Sequence, residues 1–416
     1  MRFSRYSFEP ELHQNLEELG FVRPTDIQFR AIPSILKGED VMAIAQTGTG
    51  KTAAFAIPLV QKLLSDRYHK PQPGQVRALV MVPTRELALQ ISAVFKSLVK
   101  NTPIRVAHVI GGTEIGAQAR ELVKADILVA TPGRMFDLRH QGLLDLSAVA
   151  YLVLDEADQM LAKGFLKDIQ DVLRFIPKRH QTLFFSATLD IHIKELAYSL
   201  VHKAIRIQIS PKERIAKNVA HQVIRISMDD KRFFLERILK THPEDRFLVF
   251  VRTKVRAERV VAAMERIGIS CLAMHGDKDQ AERIKTLDAF RNKENRVLIA
   301  TDVSARGIDI PGVPFVVNYD VPDEAEAYVH RVGRTGRGME KGNAISFCSP
   351  EEEEKWEAIE DFLEQPVEEL DIDSSFLLET KAISEQSVHA GLTNLLERAR
   401  KELGLDAANE KKKRKK

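Results

Sequence analysis

An α/β fold in two tandem domains, each a mostly parallel sheet flanked by helices, is the class this sequence predicts. Three observations carry it. Short apolar runs of strand length alternate with segments of helical apolar spacing along most of the chain. The alternation lapses once, in the polar stretch 210–218 (SPKERIAKN), and then starts again. The first apolar run, Val41-Met42-Ala43-Ile44, leads into the glycine-bearing stretch 45–52 (AQTGTGKT) and a helix-like segment. The expected division is therefore a first domain at 1–209, a linker at 210–218 and a second domain at 219–363. A charged tail at 364–416, basic and disordered at its end, completes the chain.

Composition narrows the class. A chain of 416 residues with 44% hydrophobic content can bury large cores. Its net charge of only +3 excludes a uniformly basic coat, although local basic surfaces remain open. Two cysteines, Cys271 and Cys348, stand far apart and suggest neither a disulfide framework nor a zinc site, which fits a reducing compartment. The start, MRFSRYSFEPEL, lacks the apolar core of a signal peptide, and no run is long enough to cross a bilayer. A cytoplasmic protein with no membrane partner is expected.

Taken in order, 10–19 and 24–36 carry apolar residues at helical spacing, divided by Gly20-Phe21 as a stop and turn. Thr25 can cap the second helix, with Gln28 in its first turn. An isolated Gln is usually a solvated helix residue. Its carboxamide nevertheless matches the N6 donor and N7 acceptor of adenine, and Phe21 could supply a stacking face. In 45–52, Gly48 and Gly50 let successive backbone N–H groups curl inward around a phosphate at the start of a helix. Lys51 would neutralise β- and γ-phosphates and Thr52 would offer its hydroxyl to Mg²⁺. The strict phosphate-loop pattern opens on Gly, whereas this one opens on Ala45.

Strand-like runs follow at 78–82, 105–110, 127–130, 151–154, 182–185 and 205–209, with helical segments between them. In such sheets ligands sit beyond the carboxyl ends of the strands, and that is where the conspicuous residues fall. Pro83-Thr84-Arg85-Glu86-Leu87, Gly111-Gly112 and Thr131-Pro132-Gly133-Arg134 each join a strand end to a helix start. They offer backbone N–H groups, hydroxyls and guanidinium groups to a second, polyanionic ligand. After YLVL comes Asp155-Glu156-Ala157-Asp158. Asp155 is placed to hold Mg²⁺, and Glu156 to orient or deprotonate an attacking water. Ser186-Ala187-Thr188 could then supply small hydroxyl partners to those carboxylates.

The second half restarts with runs at 247–251, 271–274, 297–300, 314–318 and 344–347 and helical segments at 255–267 and 280–292. It has no second phosphate loop. Instead it carries His275-Gly276, Gln280 with Arg283, Thr301-Asp302, Arg306-Gly307-Ile308-Asp309 and the stretch 330–337, HRVGRTGR. Four cationic or potentially cationic residues among glycines are not expected to pack as a core. Arg334 and Arg337 read as donors of guanidinium groups to a nucleotide. From 351 the chain is charged and mainly helical, and 411–416 is wholly basic. That end could hold RNA nonspecifically or aid solubility.

Together these motifs resemble those of the DEAD-box RNA helicases, from Phe8 to about Leu363. GFVRPTDIQ looks like the family's Q motif, AQTGTGKT its motif I, PTREL its Ia, and GG and TPGR the RNA contacts that follow. DEAD and SAT look like motifs II and III, and FVRTK, QAER, TDVSARGID and HRVGRTGR like IV, IVa, V and VI. An Ala at the start of the phosphate loop is usual in that family. The resemblance implies two RecA-like domains, ATP and Mg²⁺ in the cleft between them, and single-stranded or short-duplex RNA held mainly by its backbone. It implies adenine contacts from Phe21, Thr25 and Gln28, and phosphate contacts from Ala45, Gln46, Thr47, Gly48, Thr49, Gly50, Lys51 and Thr52. Thr52 and Asp155 would serve Mg²⁺, Glu156 the water, Asp309 the ribose, and Arg334 and Arg337 the γ-phosphate. RNA contacts would come from Thr84, Arg85, Gly112, Thr131, Arg134, Arg283 and Thr301. The activity implied is RNA-stimulated ATP hydrolysis coupled to local, non-processive unwinding of short duplexes or to RNA–protein remodelling. A non-catalytic RNA clamp that binds ATP is the rival reading, and a DNA-directed helicase a third.

Overall fold

The structure is a computed structural model that describes residues 2–45, 48–66, 72–188, 191–209, 215, 218–302, 313–336, 341–370, 375–376, 378–380 and 382. The described residues fall into two compact units, 2–209 and 215–382. The expected linker therefore lies almost wholly outside the described residues.

The first unit opens with α1 (Pro10–Glu18) and α2 (Asp26–Leu36), then β1 (Val41–Ala45) and α3 (Lys51–Ser65). β2 (Ala78–Met81), α4 (Arg85–Leu98), β3 (Val106–Val109), α5 (Ile115–Leu122), β4 (Ile127–Ala130) and α6 (Pro132–His140) continue the alternation. β5 (Tyr151–Leu154), α7 (Ala157–Ala162), α8 (Leu166–Val172), β6 (Gln181–Ser186), α9 (Ile191–Leu200) and β7 (Ile205–Ile209) complete it. All seven strands pair in parallel, in the order β3-β4-β2-β5-β6-β1-β7.

Burial on both faces explains why the central strands read as unbroken apolar runs. Along β1, Val41, Ala43 and Ala45 join a core built with Ile32 and Ile35 of α2, Phe55 and Leu59 of α3 and Phe95 of α4. Met42 and Ile44 point the other way, toward Met135, Met160, Ile169 and Leu196 of α6 to α9. Phe55 meets Phe185 edge-on at 5.2 Å, locking α3 to the centre of the sheet.

The second unit repeats the plan with β8 (Val219–Arg225), α10 (Lys231–Thr241), β9 (Phe247–Val251), α11 (Lys254–Glu265), β10 (Leu272–Met274) and α12 (Gln280–Arg291). β11 (Val297–Thr301), β12 (Phe315–Asn318), α13 (Ala325–Val332), β13 (Gly342–Cys348), α14 (Glu353–Leu363) and β14 (Glu368–Glu369) follow. The sheet is again parallel, in the order β10-β11-β9-β12-β13-β8-β14. Its two faces are covered by different helices. Phe247, Val249 and Val251 pack with Phe234 and Leu235 of α10 and Val260 and Val261 of α11. Phe250 points to the opposite face and lies 5.1 Å beneath the guanidinium of Arg331 on α13.

The segment after Leu363, expected as a charged tail, is part of this unit at least to Thr380. Leu370 N–H donates to Val223 O at 2.9 Å, and Arg225 pairs with Glu369 at 2.9 Å, so an acidic stretch closes the open edge of β8. Phe376 then stacks under Arg237 at 3.7 Å. Two glutamates carry no β-strand signal of their own, and the edge they meet supplies the pairing. The wholly basic end lies outside the described residues. Among the described residues, no helix is long and apolar enough to cross a membrane.

Candidate active site

In the first sheet β5, β6 and β1 are neighbours, with Leu154 beside Phe184 and Ile44 beside Ser186. Three motifs far apart in sequence therefore end side by side at one carboxyl edge: the glycine loop after β1, Asp155–Asp158 after β5, and Ser186–Thr188 after β6. The other half of that edge, β2, β4 and β3, brings together Thr84-Arg85, Thr131 with Arg134, and Gly111-Gly112.

The glycine loop is braced from α2. Thr25 and Gln28 form a capping box in which the Thr25 N–H donates to Gln28 Oε1 at 2.9 Å, while Gln28 Nε2 donates to Gly50 O at 3.2 Å. Gly50 adopts φ 91° and caps α3, and a Cβ there would lie 2.5 Å from Gln28 Nε2. Glycine is required on both grounds. The buried Gln28 carboxamide spends one donor and one acceptor on this bracing; its second N–H and second lone pair remain for a base edge. Phe21, partly buried, is held edge-on by Phe3 at 5.6 Å.

Lys51 is the first residue of α3 and only 7% exposed, yet its Nζ has no hydrogen-bond partner among the described residues. Desolvating an ammonium without hydrogen-bonding partners is costly, so its environment is built for an anion. The charge that acts on it is Asp155, 2% exposed, whose Oδ1 accepts the Glu156 N–H at 3.0 Å. Burial pushes the Asp155 carboxyl above the usual carboxylate range, and the Lys51 charge opposes that rise without cancelling it.

A stability prediction follows from the sign. Because the folded-state pKa lies above the unfolded one, ionising Asp155 weakens the ligand-free fold as pH climbs from the ordinary aspartate range to the raised value. Asp155→Asn removes that penalty and keeps the acceptor for Glu156. At neutral pH its thermal midpoint should exceed that of wild type. Thermal melts from pH 3 to 8 check it: the gap must close toward pH 3.

Glu156 is buried and sits at φ 53°, ψ 48°, a left-handed conformation rarely taken by a non-glycine residue. The sharp turn out of β5 into α7 imposes it. Asp158 faces the next motif: its Oδ2 accepts from the N–H groups of Ala187 at 3.0 Å and Thr188 at 3.2 Å and from the Thr188 hydroxyl at 3.3 Å. Two of the three donors are backbone, so the hydroxyl partnership expected of 186–188 is mostly a main-chain one. Ser186 Oγ, fully buried, has no partner among the described residues.

On the other half of the edge, Thr84 caps α4 by accepting from Leu87 N–H at 3.2 Å, and the Arg85 guanidinium lies against the backbone of Gly111. Arg134 donates to Thr113 O at 2.9 Å, while Thr131 caps α6 ahead of Pro132. Gln118 braces the Gly111-Gly112 turn, donating to Ile110 O at 3.0 Å and accepting from Ile110 N–H at 3.1 Å. Lys163 of the turn after α7 reaches Pro83 O at 3.2 Å, linking the two halves of the edge.

In the second unit Thr301 ends β11 and Arg283 lies in the first turn of α12, which Asp279 caps. The cationic cluster at 330–337 corrects one expectation. Arg331 is 2% exposed and does pack in a core, donating from Nε and Nη2 to both carboxylate oxygens of Asp302 at 2.6 and 2.7 Å and from Nη1 to Asp320 O at 2.7 Å. A bidentate carboxylate makes the burial tolerable. Arg334 is buried too, its Nε donating to His330 O at 3.2 Å.

Comparison with known proteins decides the family. A DEAD/DEAH box helicase model matches residues 25–196 and a helicase conserved C-terminal domain model matches 230–339. The DEAD-box ATP-dependent RNA helicase CshA of Bacillus licheniformis is 40% identical over 359 residues, 86% of this chain and 72% of that one. The chain belongs to the DEAD-box ATP-dependent RNA helicases.

The ATP-dependent RNA helicase RhlB of Shewanella amazonensis is 38% identical over 395 residues, covering 93% of this helicase and 90% of its own length. Among solved structures, S. cerevisiae Dbp5 bound to RNA and ADP BeF3 has a TM-score of 0.81 at 31% identity, covering 93% of this chain and 99% of that one. Both sheets are thus RecA-like, and the helicase is an RNA-acting ATPase by family.

Of the residues expected to form its site, Gln46, Thr47, Asp309 and Arg337 lie outside the described residues. Within the first unit the others gather on one sheet edge, except Phe21, Thr25 and Gln28, which lie on or before α2 with Gln28 reaching Gly50 O. The supporting residues Asp158, Gln118 and Lys163 were not singled out from sequence. Asp158 had a signal in its place in the DEAD tetrad; Gln118 and Lys163, whose bonds described above are to backbone groups, had none.

Proposed function

We propose that the first unit binds ATP at the loop 45–52 and hydrolyses it in response to RNA held along the other half of the same edge. The observation that carries this is Lys51: a buried ammonium without a hydrogen-bond partner among the described residues, beside a buried carboxylate, at the start of a helix. Phe21, Thr25 and Gln28 take the adenine, and Gln28, tied to Gly50 O, passes base occupancy to the phosphate loop. Backbone N–H groups of Gly48, Thr49 and Gly50 and the Lys51 ammonium hold the phosphates. Thr52 and Asp155 fit Mg²⁺, since a carboxylate disfavoured by burial is relieved by a cation; when bound, the ion supplies charge neutralisation at the phosphates. Glu156, fixed by its strained turn, orients the attacking water and takes its proton. Asp309 serves the ribose, and Arg334 and Arg337 stabilise the charge that develops on the γ-phosphate.

Thr84, Arg85, Gly112, Thr131, Arg134, Arg283 and Thr301 contact the RNA backbone, which makes recognition weak in sequence. Asp158 ties Glu156's turn to Ala187 and Thr188, and Lys163 ties the turn after α7 to the loop carrying Thr84. These links support coupling between RNA and hydrolysis. The product is local, non-processive separation of short duplexes or displacement of bound protein, in the cytoplasm.

ATP hydrolysis measured with and without an unstructured single strand tests the reading. RNA should raise turnover at least about tenfold, the scale of a coupling free energy of 1–3 kcal/mol. Equal rates would favour a clamp that binds ATP without coupled turnover, and equal stimulation by a DNA strand of the same sequence would favour a less selective helicase.

A further inference from the structure

On the second unit α10 and α11 leave a groove between them with a cavity volume of about 500 Å³. Four arginines line it, Arg232, Arg256, Arg259 and Arg266, against one acidic residue, Asp229. Arg256 is committed internally, to Asp320 at 3.0 Å. Among the described residues no carboxylate pairs with Arg232, Arg259 or Arg266. Between these charges the lining is largely apolar, with Val260 and Ala263 of α11, Phe233 and Tyr319.

We infer that this groove is a docking site for a partner protein, which enters as a short acidic peptide segment with one aromatic or aliphatic anchor. Guanidinium forks match carboxylates bidentately, and the apolar lining takes an anchor side chain that a purely ionic contact would not need. RNA fits less well, because the two rings are not free stacking platforms: the Arg232 guanidinium lies 4.2 Å over Phe233, and that of Arg256 lies 5.7 Å from the Tyr319 ring. This chain's own acidic segment is engaged elsewhere. Glu352 pairs with Lys231 and Arg252, Glu353 and Glu369 with Arg225, and Glu368 with Gln222. The occupant is therefore not this stretch.

The test is fluorescence anisotropy with a labelled short peptide of glutamate and aspartate around one central phenylalanine, titrated with the full chain. Binding is expected, and the double variant Arg259→Glu, Arg266→Glu should weaken it by about tenfold or more. Both side chains are exposed, and a thermal melt confirms that the variant folds. Ala263→Trp, which fills the groove without altering charge, should weaken the same peptide, as should replacing its phenylalanine by alanine. RNA-stimulated ATP hydrolysis and affinity for a labelled single strand should stay at wild-type values in both variants. Unchanged peptide binding in either variant overturns the proposal, and so does a loss of RNA affinity in the charge-reversed one, which would make the groove an RNA surface.

Discussion

Lys51→Met is expected to leave the protein folded and to lower its ATP turnover by at least about 10²–10³-fold, the loss that follows removal of one preorganised charge-stabilising group. The two halves of that expectation have different causes. Methionine keeps the length and apolar character of the lysine stem, which packs at the start of α3 among buried residues. It removes an ammonium that makes no hydrogen bond among the described residues, so no native partner is orphaned. The thermal midpoint should therefore stay at or above that of wild type. The exception is electrostatic: without the Lys51 charge, burial acts on Asp155 with only the Glu156 N–H to oppose it, and its carboxyl rises further. Combining Lys51→Met with Asp155→Asn should then add stability beyond the sum of the single changes, since the neutral amide no longer responds to the missing cation. Turnover within twofold of wild type, or a midpoint many degrees lower, would mean that Lys51 is a structural residue and that the phosphate assignment is wrong.

Much of this arrangement was legible in the sequence because it is written in local pattern. Runs such as Leu152-Val153-Leu154 are strands since both faces are buried, and they stop where a charged residue first appears, which is also where the chemistry sits. The start of α2 follows the cap Thr25. β8 escaped notice because Val219–Arg225 mixes His, Gln and Arg into its run, and its pairing with β13 comes from distant residues. Strand order is likewise non-local: that β1 lies beside β6 rather than β2 depends on which helices cross which face. Within the site, residue type was readable and residue engagement was not. Arg331 and Arg334 look alike in HRVGRTGR, yet Arg331 is clamped by Asp302, 29 residues earlier in TDVSARGID, and neither motif announces that pairing. The arginine groove was invisible for the same reason, since Arg232 and Arg259 belong to separate helices of ordinary composition.

Glu156→Gln separates binding from chemistry, and its expected effect is a fall in RNA-stimulated turnover of about 10²–10⁴-fold with ATP and RNA affinities retained. The substitution is isosteric and keeps every atom but one, so the turn out of β5 should survive. That matters because the backbone at this residue is held at φ 53°, ψ 48° by the chain's reversal into α7, where Asp158 Oδ2 accepts from Ala187 and Thr188. Strain of this kind, of order 1–3 kcal/mol, persists only where surrounding contacts over-determine it. Glu156→Gly relieves the strain and removes the carboxylate, so it should lose turnover as fully as Glu156→Gln while matching or exceeding its thermal midpoint. Asp158→Asn supplies the contrast, because it keeps Glu156 and weakens only the contacts that fix the turn. If Glu156 acts on water, Asp158→Asn should lower turnover less than Glu156→Gln. A Glu156→Gln variant that still hydrolyses ATP at the wild-type rate would remove Glu156 from the reaction and leave its strained backbone as a feature of the turn alone.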